Sequence, residues 1–154
     1  MVLRKNFIQA LGCLLAVCIG HPAILADASW LDSPYSLEPD GHITSPGQTL
    51  DGSLTMTLAH DQPCQISVSV AQAGDEVLSI DGDALTTSYK LTGPSVTNPD
   101  EHWVGSQTFV TRTYWVDGYG PTSDITISVR AAAASDRANK AGEYSASIVL
   151  TVTW

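Results

Sequence analysis

The chain has 154 residues, and its 16 acidic side chains against 7 basic ones give a formal charge of −9. This balance excludes nucleic acid and anionic membrane surfaces as partners, because both need a basic face; high negative charge instead favours solubility. There is one compositional block, with no low-complexity tract and no fixed-period repeat, which suits one small domain.

In chain order, Arg4 and Lys5 are followed by an apolar run from Phe7 to Ile19, then by His21-Pro22 and the small-residue sequence Ala26-Asp27-Ala28. A positive start, an apolar middle and a small-residue exit are the three parts of a secretory signal. The expectation is a signal over 1–26, cleaved after Ala26 or Ala28, and a protein secreted to the periplasm or the cell surface. The apolar run is shorter than the roughly 20 residues of a membrane-spanning helix, so the mature form is expected to have no membrane span. A lipid anchor at Cys13 or Cys18 is the alternative, but Val17 is not the small residue such a cysteine needs before it, and little apolar sequence precedes Cys13. Cleavage leaves about 126–128 residues, a normal domain size. Residues 27–48 read as an N-terminal extension and 49–154 as the domain. All the acidic residues follow Ala26, so the mature chain is the more negative part.

Within the domain, alternation of period two dominates. Leu54, Met56 and Leu58 alternate with Ser and Thr; Cys64, Ile66, Val68 and Val70 alternate with Gln and Ser. Val77–Ile80 is a short apolar run, and Leu85, Thr87, Tyr89 and Leu91 form another alternating set. Trp103–Val116 is aromatic and β-branched, long enough for two strands or one bent strand, and Ile125, Ile127 and Val129 alternate again. These residue types fit a pleated, half-buried surface. The Asp-Gly pairs at 51–52, 81–82 and 117–118, with Gly93-Pro94 and Gly120-Pro121, read as turns. Ala131–Ala141 has no apolar face wide enough for a core helix and reads as a loop with at most one helical turn. The fold expected is all-β: an immunoglobulin-like antiparallel β-sandwich of about seven strands. Cys64, the one cysteine after the signal, reads as a buried thiol at the start of a strand; a reactive thiol or a partner disulfide is the alternative. The last strand has Tyr144, Ala146, Ile148, Leu150, Val152 and Trp154 on one face, a structural set by its apolar content.

This last segment carries a resemblance. Ala141-Gly142-Glu143-Tyr144 followed by Ile148-Val149-Leu150-Thr151-Val152-Thr153-Trp154 resembles the terminal strand of secreted pilin-type subunits, most of all the spore coat U and archaic chaperone–usher group. Its specific part covers about fourteen residues. The resemblance implies a structural subunit of a fimbrium-like or coat-like assembly, in which an N-terminal extension of one subunit completes the sandwich of its neighbour by β-strand addition. The partners implied are other copies or related subunits, with a periplasmic chaperone and usher. The residues so marked are Gly142, Tyr144, Ile148, Leu150, Val152 and Trp154 in the acceptor strand, and Leu31, Tyr35 and Leu37 as donor side chains. Pro34 and Pro39 interrupt that donor segment, since each removes a ladder N–H, and the cysteine pair frequent near the start of coat U chains is missing.

The second hypothesis is a self-complete, monomeric secreted module, with an aromatic patch at Trp115 and Tyr119 that binds carbohydrate. Trp103 and Tyr114 belong to the same aromatic stretch, and alternation puts Tyr114 and Trp115 on opposite faces. The remaining candidates read as ordinary surface. His42, His60 and His102 lack metal-ligand spacing and read as solvated loop residues. Asp81-Gly82-Asp83 lacks the later ligands of a calcium loop and reads as a hairpin turn. No serine sits in a nucleophile elbow. Neither catalysis, metal nor cofactor is expected.

Overall fold

The computed structural model describes residues 28–31, 37, 42–118, 120–136 and 138–154. In chain order these form β1 (Ala28–Trp30), β2 (Thr49–His60), β3 (Cys64–Ser69), β4 (Ser79–Ile80), β5 (Asp83–Ala84), β6 (Thr86–Thr92), β7 (Val104–Gly105), a single helical turn α1 (Ser106–Phe109), β8 (Thr113–Val116), β9 (Thr122–Ala132) and β10 (Val149–Thr153). All the strand pairings are antiparallel. A five-stranded sheet has the order β1-β2-β9-β6-β7, a three-stranded sheet the order β10-β3-β8, and β4 and β5 form a separate hairpin.

Alternation turns into strand because both main sheets feed one core. The large sheet contributes Met56, Leu58, Tyr89, Leu91, Ile125, Ile127 and Val129; the small sheet contributes Ile66, Tyr114, Val116, Leu150 and Val152. Each such side chain is worth about 1.5–3 kcal/mol when taken from water, which is why the period-two residues settle the register. Phe109 of α1 enters the same core, stacked on Tyr89 at 4.9 Å between ring centroids. Cys64 is buried and free, and burial pushes its thiol pKa up.

The two sheets are tied by a buried carboxylate. Asp100 accepts hydrogen bonds from the Leu91 backbone N–H of β6 at 2.8 Å, the Tyr114 hydroxyl of β8 at 2.6 Å and the Arg112 guanidinium at 2.6 Å. A second buried carboxylate, Asp83, anchors the approach to β10. It accepts from the Tyr144 hydroxyl, the Lys140 backbone N–H at 2.7 Å and the Asn139 amide at 3.1 Å. Asp83 reaches that place because Asp81 and Gly82, at φ 46° and 77°, make the tight turn between β4 and β5 that Asp-Gly favours. Gly142, at φ +147°, takes a backbone conformation that L side chains rarely adopt and sets Tyr144 on its inward path.

Four features differ from the sequence reading. Asp51-Gly52 is no turn but lies inside β2, opposite Arg130 and Val129 of β9; the long β2–β9 ladder overrides the local turn preference. The single helical turn falls at Ser106–Phe109, splitting the 103–116 stretch, whereas β9 extends through Ala132 and the described residues that follow hold no helix. Of the segment read as an extension, Ala28–Trp30 joins the large sheet and Leu37 joins the core. The strands number ten among the described residues, three of them only two residues long. The segment read as a secretory signal, residues 1–26, lies outside the described residues.

Candidate functional site

A sheet edge presents unpaired backbone groups, and proteins ordinarily shorten or cover it. On β8 the edge is covered. The Trp115 N–H donates to Asn98 Oδ1 at 2.8 Å, Asn98 Nδ2 donates to the Thr113 carbonyl at 3.0 Å, and the Thr97 N–H donates to the Trp115 carbonyl at 2.9 Å. At the ends of the large sheet, β1 and β7 are three and two residues long. The five-residue β10 is different: it pairs with β3 from Val149↔Ser69 to Thr153↔Gln65, and among the described residues nothing pairs with its other side.

Of the residues read as one acceptor strand, Tyr144 and Ile148 precede β10, which begins only at Val149, while Leu150 and Val152 lie within it; all four are buried in the chain's own core. Trp154 is exposed to 42%. Of the residues read as donor side chains, Leu37 is buried, Leu31 is exposed to 40% and Tyr35 lies outside the described residues. Trp30, which the sequence reading did not single out, is buried as well, and β1 lies against β10 across the two sheets. The N-terminal segment and the last strand are therefore neighbours, although no single residue pattern announces the contact.

The aromatic candidates separate. Tyr114 is fully buried and Trp115 is exposed to 55%, as alternation requires. Trp103, just before β7, lies over the other sheet, half-buried beneath Arg130 at 4.4 Å and Lys90 at 5.6 Å from the ring centroid. Arg130 is in turn held by both oxygens of Asp51, at 2.7 and 2.6 Å, and this partner lowers the Asp51 pKa. Tyr119 lies outside the described residues, so Trp115 is the part of the proposed patch that the structure displays.

The histidines also separate. His60 is not a solvated loop residue: it ends β2 on the core side and is only 3% exposed. The Gln62 carbonyl 3.0 Å from Nδ1 can only accept, so Nδ1 carries a proton; in the neutral ring Nε2, 2.7 Å from the Ser123 hydroxyl, then accepts from it. A serine hydroxyl on an imidazole is a nucleophile–base pair by type, but Ser123 is itself 5% exposed and the contact closes the end of the core. Sequence offered no sign of it, since 63 positions separate the two residues. Asp100, in the acidic run beside His102, was missed for the same reason. Among the described residues no three His, Cys, Asp or Glu side chains converge as a metal site, and no helix is long and apolar enough to cross a membrane.

No protein-family model matches the chain, and no match to it was found among the curated proteins.

Proposed function

We propose that this chain is a structural subunit of an extracellular or cell-surface assembly, pilin-like or coat-like, joined to its neighbours by β-strand addition at β10. The observation that carries this reading is the edge of β10, five residues long and flanked by a well-packed core, which no strand pairs among the described residues. Backbone pairing along such an edge supplies affinity, and alternate side chains supply specificity. Strand order supports an immunoglobulin-like layout. The run β1-β2-β9-β6 follows the A-B-E-D order of such a sheet, and β3 beside β10 follows C beside F. The place next to β10 is then that of strand G, the position a neighbour's strand would take. The N-terminal segment supplies side chains that an exchange would use: Trp30 and Leu37 reach the core, and β1, paired with β2, packs against β10 across the two sheets. The partners in this reading are other copies or related subunits, and the setting is the periplasm or cell surface that the signal implies.

A second reading, a self-complete monomeric secreted module, is favoured by the burial of Ile148, Leu150 and Val152 within the chain itself. Size-exclusion chromatography with light scattering separates the two, using the signal-free chain with and without residues 27–41. The assembly reading expects the longer form to associate as concentration rises. The shorter form should stay monomeric and regain thermal stability when a peptide of residues 28–38 is added. If the longer form is a monomer at every concentration, the assembly reading fails and the second reading stands.

A further inference from the structure

The outward positions of the small sheet form two cross-strand rows. Gln65 stands between Trp115 and Thr153, and Ser67 stands between Thr113 and Thr151. We propose that this face binds a neutral polysaccharide, whose sugar rings stack on the Trp115 indole while their hydroxyls bond to the surrounding amide and hydroxyl groups.

Three observations carry the proposal. The indole is exposed to 55%, yet its backbone is held on both sides, by the β3 ladder and by Asn98 and Thr97. A flat aromatic surface on a fixed backbone loses little conformational entropy when a ligand covers it. The polar side chains around it are also uncommitted: among the described residues Gln65, Ser67, Thr113, Thr151 and Thr153 make no side-chain hydrogen bond. On the large sheet several of the equivalent groups are engaged, although Ser53, Ser88 and Ser128 are not. There Thr55 bonds Thr126 at 2.9 Å, Thr57 bonds Asp124 at 3.2 Å, Arg130 bonds Asp51, and Trp103 is covered by two cations. Finally, none of the six positions is ionisable, in a chain with 16 acidic residues. A face of amide, hydroxyl and indole groups without charge fits a neutral, polyhydroxylated ligand with an apolar C–H face, and the three strands spread it over about 10 Å.

The test is native affinity electrophoresis of the signal-free chain in gels containing hydroxyethylcellulose or glucomannan, with polygalacturonate as the charged control. The expected result is retardation by a neutral polymer and none by polygalacturonate. Trp115→Ala should weaken retardation about tenfold or more, Trp115→Phe should restore part of it, and Trp103→Ala should migrate like the parent chain. Trp115 and Trp103 both reach the surface, and circular dichroism of each variant checks that the fold is kept. Equal retardation of Trp115→Ala and the parent, or no retardation in either neutral polymer, overturns the proposal. So does a Trp115→Ala variant whose change is confined to self-association. Strand addition at β10 uses the sheet edge rather than this face, so either proposal can fail alone.

Discussion

Replacing Asp100 with alanine is expected to cost about 2–5 kcal/mol of folding stability, a large share of the about 5–15 kcal/mol that a domain has. The side chain is fully buried, and its three donors come from β6, β8 and the turn before β8. Alanine leaves the Leu91 N–H and the Tyr114 hydroxyl without an acceptor inside the core. Arg112 is 41% exposed, so its share is screened by solvent and the cost falls mainly on the two orphaned donors. Asp100→Asn keeps one acceptor oxygen and should cost less. Urea unfolding measures this as a lower midpoint at unchanged slope, with Asp136→Ala on the exposed surface as a control expected within about 0.5 kcal/mol. The tyrosines give a second readout. Burial, and for Tyr114 also the Asp100 contact, raise the phenol pKa of Tyr114, while burial and the Glu76 charge raise that of Tyr89. A raised folded pKa contributes stability that is complete below the unfolded value of about 10 and is lost as pH rises above it. The parent chain should therefore weaken in alkali above that pH.

Tyr144→Ala should be at least as severe, about 3–5 kcal/mol. The ring is fully buried, and its hydroxyl joins Asp83 and the Lys140 carbonyl, the latter at 3.1 Å. Tyr144→Phe isolates the hydroxyl. Asp83 keeps the Lys140 N–H and the Asn139 amide as donors, so the phenylalanine variant should lose only about 1–3 kcal/mol. Thermal unfolding of the two variants side by side separates ring packing from hydrogen bonding. Near-equal losses would show that the contact to Asp83, rather than ring packing, dominates.

What sequence reveals about this fold follows from how local each signal is. The alternations in β2, β3, β6, β9 and β10 are legible because a strand facing one core repeats its pattern every second residue. The same rule separates Trp115 from Tyr114. Asp81-Gly82 was legible as a turn because the local chemistry is undisturbed, whereas Asp51-Gly52 was not, because Arg130 and the β9 ladder hold it extended. The structural work of Asp100, Asp83 and His60 was hidden, since each meets partners that only the tertiary fold brings near. Tyr144 was legible as an inward residue of the last segment, but its pairing with Asp83 was not. The edge of β10, unpaired among the described residues, lies beyond any sequence pattern, because an edge is defined by which strands sit beside it.

Hydrogen exchange over residues 149–153 tests strand addition most directly, comparing dilute monomer with concentrated, associated protein. The account predicts that the β10 amides pointing away from β3 exchange quickly in the monomer and become protected on association, while β9 amides, paired on both sides, are unchanged. Association that leaves every β10 amide exchanging as it does in the monomer would contradict it.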